Sequence, residues 1–304
     1  MAIGEERVHN PVLLKETIHF LNPKGRGIYV DGTLGGGGHA LGLLEARKDL
    51  ELLVGIDQDG EILEIARERL KPFASKVRIR KGNFSEVGEI LKGEKISGVD
   101  GILLDLGVSS LQLDEGRRGF SFRKTGPVDM RMDPSLGKTA LEKIKESNVE
   151  ELARVLEEYG EERFAEKIAR GILEKMKLGG LQTTTDLAQV AFGAYPPWQR
   201  SRIDPATRTF LALRLWVNEE LVHLKKFLKE SPLWLNPGGK ICVMSYHSLE
   251  DRMVKHSFRN LAKKDFHFRV VTKKPVRPGE IEIAQNPRAR SAKLRVLEKG
   301  DSAH

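Results

Sequence analysis

A run of glycines constrains the fold more than any other feature of this sequence. It reads DGTLGGGGH over residues 31–39, between an apolar segment and an amphipathic one. Glycine lets the backbone adopt positive φ and lets a ligand approach the main chain, and the following helix start offers free N–H groups. Gly35, Gly37 and Ala40 fit the G-x-G-x-x-G/A pattern of a strand–turn–helix nucleotide site. Alone, the run is also compatible with a flexible turn, and the same geometry serves NAD and S-adenosylmethionine.

The segments around the run alternate between strand and helix patterns, which is typical of a doubly wound parallel sheet. Helices are predicted after the first three strands, at about 38–47, 59–70 and 85–91, and after the fifth strand at 249–263. Two late strands, separated by a basic loop over 275–290, suit an added antiparallel hairpin. The predicted strands are 27–33, 52–57, 76–84, 99–106, 240–245, 267–273 and 291–298. The expected fold is therefore α/β and Rossmann-like, with a C-terminal antiparallel hairpin.

A long stretch without strand signals interrupts this pattern. Residues 114–135 are dense in Gly, Arg, Asp and Pro, and helices are then predicted at 148–160, 161–177 and 185–192. Asp204-Pro205 opens a further helix whose apolar positions continue to Leu228. We therefore expect one domain, formed by 1–113 and 205–304, interrupted by an all-helical domain at 114–204.

Polar and aromatic residues end three predicted strands, at the sheet edge where open α/β folds bind ligands. Asp57 comes 20 residues after Gly37 and could accept both hydroxyls of a ribose. Asn83 and Phe84 could hold adenine, although Phe84 is equally suited to core packing. Asp105 ends the fourth strand. The sixth-strand pattern of a dinucleotide dehydrogenase is not evident, which favours S-adenosylmethionine, while an NAD-dependent oxidoreductase stays an alternative.

The charge distribution points to a nucleic-acid partner. The net charge is +8, and residues 255–277 hold eight Lys or Arg against one acid. Such clustering is typical of phosphate binding. A single cysteine, Cys242, excludes internal disulfides, no metal-ligand spacing is present, and no apolar run approaches the ~20 residues of a membrane span. We expect a cytoplasmic protein without a metal and without a membrane partner.

Several segments are distinctive together. They are HNPVLL (9–14), VDGTLGGGGH (30–39), LDLGVSSLQLD (104–114), RGFSF (118–122), DMRMD (129–133), YGEERFA (159–165), PATRTF (205–210), SYHSLEDR (245–252) and NPRARS (286–291). From about residue 9 to 298 the chain resembles the bacterial RsmH (MraW) family of 16S rRNA cytosine-N(4)-methyltransferases. Leu111 and Tyr246 stand where proline and phenylalanine are common in that family.

The resemblance implies an activity, a cofactor and a partner. The implied reaction moves a methyl group from S-adenosyl-L-methionine to the N(4) amine of a cytidine in the decoding region of 16S rRNA, free or within the small ribosomal subunit. The cofactor residues carried over by matching motif are Gly37, Gly38, His39, Asp57, Phe84, Asp105 and Gln112. A noncatalytic rRNA-binding assembly factor would be expected to show a disrupted glycine loop or to lack Asp57, and neither is seen.

The residue that assists the reacting amine is left open by the sequence. An exocyclic cytosine amine is a poor nucleophile because its lone pair is delocalised, and a group that accepts an amine hydrogen favours the reactive geometry. Asp105 could take this role or bind cofactor. Tyr246 and His247, at the end of the fifth predicted strand, are further candidates, and His247 could equally be a helix cap.

RNA contacts are predicted in two basic segments. An aromatic ring among arginines could stack on an unpaired base while the arginines hold phosphates. The alternation Phe120-Ser121-Phe122 is also typical of a packed loop, and the two late arginines fit either phosphate contact or salt bridges to the insertion. The predicted contact residues are Arg117, Arg118, Phe120, Arg123, Arg288 and Arg290.

Overall fold

The computed structural model describes residues 11–22, 26–199 and 204–301. They form two compact units: unit 1 contains the residues up to 107 and from 222 onward, and unit 2 contains residues 108–221. The predicted insertion, 114–204, lies inside unit 2. Within the described ranges, no helix combines the length and the apolar character needed to cross a bilayer.

Unit 1 contains a seven-stranded sheet in the order β3-β2-β1-β4-β5-β7-β6. The strands β1 to β5 pair in parallel, whereas β7 is antiparallel to both β5 and β6. The expected α/β sheet with an antiparallel C-terminal hairpin is confirmed. The strands are β1 (Ile28–Asp31), β2 (Leu52–Asp57), β3 (Val77–Lys81), β4 (Val99–Asp105), β5 (Leu235–Ser245), β6 (Phe268–Val270) and β7 (Lys293–Lys299).

The helices divide between the two units. Those numbered α1 to α4, α12 and α13 belong to unit 1, α5 to α10 belong to unit 2, and α11 crosses the boundary. In chain order they are α1 (Leu14–Leu21), α2 (Gly38–Ala46), α3 (Gly60–Leu70), α4 (Val87–Gly93), α5 (Ser110–Asp114), α6 (Ala140–Glu146), α7 (Val149–Gly160), α8 (Ala165–Lys177), α9 (Thr184–Ala194), α10 (Ala206–Val217), α11 (Glu220–Glu230), α12 (Ser248–Lys264) and α13 (Glu280–Gln285).

Side chains of the unit 1 sheet are buried on both faces. Because successive strand residues point to opposite sides, Tyr29 joins the core that includes Leu43 of α2, while Val30 joins the core that includes Phe227 of α11. Each fully buried large apolar side chain contributes roughly 1.5–3 kcal/mol of transfer free energy. Helices thus cover both faces and leave the strand ends as the open edge.

Unit 2 has its own helical core. Ile168 and Ile172 of α8 are buried with Leu156 of α7 and Leu213 of α10. The predicted cap of α7 is confirmed, since the Asn148 side chain accepts a hydrogen bond from the backbone of Glu151 at 2.8 Å. The apolar face of each helix therefore finds its partner within the unit.

The predicted continuous helix from Pro205 to Leu228 is wrong, because the structure has two helices there. The helix α10 ends at Val217, where the Asn218 amide donates to the Arg214 carbonyl at 2.8 Å. Glu219 then takes a positive φ of 49°, which interrupts the helical backbone before α11. The apolar spacing continues across this break and so conceals it.

The other corrections concern loops and strand ends. The predicted basic loop at 275–290 contains α13 and a 3-10 turn at Pro287–Ser291. The strand predicted at 267–273 has three residues, because β6 is an edge strand paired only with β7. The third strand stops at Lys81, since Asn83 caps a 3-10 turn instead of ending the strand.

Candidate functional site

The glycine run connects β1 to α2, as predicted, and its backbone needs glycine at two points. Gly35 and Gly37 have φ angles of 50° and 77°, a region that other residues rarely adopt. A Cβ on Gly35 would meet, among the described atoms, only the Thr33 carbonyl oxygen at 3.9 Å. Gly38 begins α2, and Pro11 lies 3.4 Å from the position of a Cβ there. The loop is therefore closed on the Gly38 side and open on the Gly35 side.

Asp57 ends β2 and is held against this loop. Its carboxylate accepts hydrogen bonds from the backbone of Gly35 at 2.8 Å and of Asp59 at 3.0 Å. Burial nevertheless raises the pKa of Asp57 to about 6. Each carboxylate oxygen can accept a further hydrogen bond, so Asp57 could also accept two hydroxyl donors, and a ribose contact stays a prediction.

Asp31 ends β1 and is a site residue that the sequence reasoning did not select. It is 1% exposed and accepts a hydrogen bond from the Thr33 backbone at 3.2 Å. Burial, with smaller contributions from the nearby charges of Asp105 and Asp57, raises the pKa of Asp31 to about 7 against the opposing effects of His39 and the Thr33 hydrogen bond. Its place at the end of a central parallel strand was the available signal.

Asp105 ends β4 and is oriented by two neighbours in unit 1. The Tyr246 hydroxyl donates to its Oδ1 at 2.7 Å, and its own backbone N–H donates to the Thr33 hydroxyl at 2.6 Å. Burial raises the pKa of Asp105, while His39 and the Tyr246 hydrogen bond lower it. Burial and Asp105 together raise the pKa of Tyr246 well above its ordinary value, so the phenol stays a donor.

His39 contacts Asp105 from the side of the glycine loop. Its Nε2 lies 2.9 Å from the Val12 carbonyl oxygen, and its Nδ1 lies 3.8 Å from Asp105 Oδ2. A carbonyl oxygen only accepts, so Nε2 carries a hydrogen. The imidazole therefore fixes the N-terminal segment and faces the Asp105 carboxylate, which makes it a positioning residue in this structure.

Asp31, Asp57 and Asp105 form a cluster that we call the carboxylate edge. In the described part of the chain, no lysine or arginine forms an ion pair with any of the three. Carboxylates gathered at one sheet edge without a lysine or arginine partner favour a cationic ligand. A sulfonium nucleoside fits this edge because it brings a positive charge and a ribose diol to the open glycine loop.

The residues after β3 have partners inside unit 1. The ring of Phe84 is half-buried and lies edge-to-face with Phe227, with centroids 5.7 Å apart. The Asn83 side chain accepts from the backbone of Ser85 at 2.9 Å and donates to Gln58 at 3.3 Å. The Phe84 ring therefore packs against Phe227 in the core, and part of its surface stays exposed next to the end of β3.

His247, a predicted catalytic candidate, lies at the start of α12. Its Nε2 is 3.0 Å from Glu250 Oε1, and Glu250 also accepts from the Tyr246 backbone at 2.9 Å. Glu250 is buried. These contacts give His247 a role in starting the helix, which is the alternative that the sequence left open.

Gln112 lies in unit 2 and is buried. It forms a reciprocal cap with Ser109: the Ser109 backbone donates to Gln112 Oε1 at 3.0 Å, and the Gln112 backbone donates to Ser109 Oγ at 3.2 Å. This cap starts α5 directly after the carboxyl end of β4. A cofactor contact by Gln112 stays a prediction.

Arg118 and Phe120 were predicted to contact RNA, and the structure corrects this prediction. They are 3% and 7% exposed in unit 2. The Arg118 guanidinium donates to the carbonyl oxygens of Arg131 and Met132, at 3.2 and 2.9 Å, and lies 6.0 Å from the centroid of the Phe120 ring. A ring and a cation enclosed by protein cannot stack on a base or bind a phosphate, so the packed-loop alternative holds.

The four other predicted RNA contacts are exposed. Arg117 pairs with Glu115 at 2.6 Å and keeps more than half of its side chain in solvent. Arg123 lies on the same irregular segment, and Arg288 and Arg290 flank the buried Ala289 in the turn after α13. Their availability for phosphate is compatible with the structure, and RNA binding by them stays a prediction. Among the described residues, no group of three His, Cys, Asp or Glu could hold a metal ion.

Comparison with known proteins matches nearly the whole chain. The profile of the "MraW methylase family" matches residues 6–300. The ribosomal RNA small subunit methyltransferase H of Geobacter sulfurreducens is 47% identical over 96% of this chain and 98% of its own length. Its namesakes from Syntrophus aciditrophicus and Halothermothrix orenii are 44% and 45% identical, and they cover 98% and 96% of this chain and 100% and 98% of their own lengths.

Proposed function

Because this chain belongs to the MraW methylase family, we propose that it methylates ribosomal RNA of the small subunit. The methyl donor is S-adenosyl-L-methionine, which this family uses. The proposed acceptor is the exocyclic N(4) amine of a cytidine in the decoding region of 16S rRNA. The observation that carries the proposal is the carboxylate edge, which lies beside an open glycine loop and, among the described residues, has no lysine or arginine partner.

The residues of unit 1 fit the donor in charge and in hydrogen bonding. When bound, S-adenosylmethionine supplies an activated methyl group on a positively charged sulfur. Asp57 would accept the ribose hydroxyls, since backbone N–H groups already fix its orientation. The open backbone at Gly35 would allow close approach of the ligand, and Asp31 would balance its positive charge.

Asp105 has the geometry of the residue that assists the amine. Tyr246 occupies Oδ1, whereas Oδ2 lies 3.8 Å from His39 Nδ1, too far for a hydrogen bond, so Oδ2 could accept one from an N–H donor. A carboxylate that accepts one amine hydrogen directs the nitrogen lone pair away from itself and towards the methyl group. Because burial raises its pKa, Asp105 can also take up the proton that the methylated amine must lose.

The RNA would be held by exposed cations. Arg123, Arg288 and Arg290 are exposed, and the basic stretch at 255–277 adds further phosphate-binding capacity. A bacterial small ribosomal subunit is a cytoplasmic particle, so the cytoplasm is the proposed compartment. The oxidoreductase alternative is set aside by the family, and a noncatalytic assembly factor would have no use for an oriented Asp105.

The test is methyl transfer to a defined acceptor. The purified chain is incubated with labelled S-adenosylmethionine and either 16S rRNA or small subunits, and digested nucleosides are separated by mass spectrometry. We expect N(4)-methylated cytidine, at one position. Methylation of a different base would refute the acceptor, and binding of rRNA without any transfer would favour the assembly factor.

A further inference from the structure

A second candidate binding site lies on unit 2, at the start of α8. Arg163, Phe164, Glu166, Lys167 and Arg170 line an open cavity of about 330 Å³, which we call the α8 pocket. Pockets for small ligands usually measure roughly 300–1,000 Å³. Two of the lining residues, Arg163 and Phe164, belong to the YGEERFA segment at 159–165, which is distinctive in the sequence and has no role in the carboxylate edge.

The aromatic residue that lines the α8 pocket, Phe164, is held in place by neighbours outside the pocket. The rings of Phe164 and Tyr195 meet edge-to-face with centroids 4.7 Å apart. Glu162, which is 3% exposed, accepts the Tyr195 hydroxyl at 2.7 Å and the Phe164 backbone N–H at 2.9 Å. Burial and Glu162 raise the pKa of Tyr195 well above its ordinary value, so this bond persists at all physiological pH. A buried carboxylate thus holds both rings in place.

Three of the five residues that line the α8 pocket are basic. Lys167 and Arg170 lie about one turn apart on α8, and Arg163 precedes the helix. Arg170 pairs with Glu166 at 2.7 Å, and Lys167 donates to the Ala194 carbonyl at 3.0 Å. Within the described ranges, Arg163 forms no ion pair. Three cations and one acid line the pocket beside the Phe164 ring, with the buried Glu162 carboxylate engaged by Tyr195. This combination suits an anion that also carries a flat ring.

We propose that the α8 pocket binds one unpaired nucleotide of ribosomal RNA. Its base would stack on Phe164, and the adjoining phosphates would contact Arg163 and Lys167. Aromatic stacking combined with cations is how proteins hold single-stranded RNA without reading its sequence. The identity of the RNA rests on the proposed function, whereas the pocket itself rests on its own geometry.

Charge reversal tests the proposed phosphate contacts. The variant Arg163→Glu/Lys167→Glu is compared with Lys145→Glu/Lys177→Glu, which makes the same change in net charge at exposed positions of α6 and α8 outside the pocket. The probe is a fluorescent single-stranded RNA of 12 nucleotides, titrated at several salt concentrations. Two lost phosphate contacts should lower the slope of log affinity against log salt by about 1.4 and the affinity at least about tenfold more than in the control. Equal behaviour of the two variants would overturn the proposal.

Substitution of Phe164 tests base stacking separately. Phe164→Leu keeps an apolar side chain but removes the ring, and loss of stacking should weaken RNA binding about fivefold to a hundredfold with the salt slope unchanged. Phe164→Tyr should restore affinity, whereas a Phe164→Tyr variant as weak as Phe164→Leu would contradict stacking.

The methylation assay on wild-type protein separates the two proposals. Transfer by the wild type together with a pocket that does not affect RNA binding refutes only the pocket, and absence of transfer refutes only the function.

Discussion

The two units use buried charge in opposite ways. In unit 1, Asp31, Asp57 and Asp105 gather at one edge with raised pKa values and, in the described chain, without a lysine or arginine partner. In unit 2, buried charges have been given partners: Arg118 by two carbonyl oxygens and Glu162 by a phenol and a backbone N–H.

The difference shows which charges stabilise the protein and which serve a ligand. A buried ion with its hydrogen bonds satisfied fixes a loop, and removing it leaves polar groups unpaired. Carboxylates placed together without cations cost stability and are retained where a ligand supplies the missing charge.

The largest effect is expected at Asp105, which belongs to the carboxylate edge and is also the proposed acceptor of the amine hydrogen. In Asp105→Ala, single-turnover methylation should fall by about 100-fold or more, because the amine loses the group that accepts its hydrogen. Cofactor affinity should fall far less than the rate, because Asp31 and Asp57 of the carboxylate edge remain. Rapid-quench kinetics at saturating cofactor measure the rate, and Tyr246→Phe, which removes one hydrogen bond to the carboxylate, should show a smaller loss. A rate restored by excess cofactor would assign Asp105 to cofactor binding instead.

Unit 2 should respond to loss of charge by unfolding more easily. Arg118→Met should lower the free energy of unfolding by about 2–4 kcal/mol, since two buried carbonyl oxygens lose a charged donor. Arg123→Met, at an exposed position of the same segment, should stay within about 0.5 kcal/mol of wild type. Urea titrations measure both. Equal stability of the two variants would mean that the Arg118 bonds contribute nothing.

Unit 1 should instead lose its response to ligand. At a concentration one hundred times its dissociation constant, S-adenosylmethionine should stabilise the wild type by about 2.7 kcal/mol. Asp57→Ala should abolish most of this gain because the ribose loses its acceptor. Thermal unfolding with and without ligand gives the result, with NADH as the control ligand. An undiminished shift in Asp57→Ala would remove that residue from the cofactor site.

Asp31 should show directly how much the carboxylate edge lowers the free energy of unfolding. Its folded pKa, about 7, is above the unfolded value of 3.8, so the folded state holds the proton more tightly and loses stability as pH rises from 4 to 7. Asp31→Asn should therefore be more stable than ligand-free wild type at pH 8, by up to about 4 kcal/mol, and equally stable at pH 4. Urea unfolding from pH 4 to pH 8 measures the difference in free energy of unfolding between the two proteins. An Asp31→Asn variant less stable than wild type at pH 8 would contradict the claim that the ionised Asp31 is destabilising.

How far the sequence predicted these sites depends on backbone regularity. Asp57 and Asp105 were placed correctly because strand patterns reveal where parallel strands end, and those ends share one edge. Residues 114–135 have no such period, so nothing local distinguished the buried Arg118 from the exposed Arg123. The break at Glu219 was hidden by apolar spacing that continues across it.

Contacts between distant segments were beyond the reach of sequence patterns. Tyr246 reaches Asp105 across 141 positions of the chain, and Tyr195 reaches Glu162 across 33. Each pair is made by the packing of whole elements rather than by local propensity. The same reason explains why Asp31 was overlooked, since its burial depends on neighbouring strands that form only in the folded sheet.

The most direct test of the central claim compares S-adenosylmethionine with S-adenosylhomocysteine, which differ in the methyl group and the positive charge on sulfur. Calorimetric dissociation constants for both are measured from pH 5 to 8. As Asp31 and Asp57 ionise, with pKa values of about 7 and 6, the charged ligand should gain affinity relative to the neutral sulfur compound, and Asp31→Asn should reduce that gain. A ratio of the two constants that stays the same across this range would contradict the claim that the carboxylate edge exists to hold a cation.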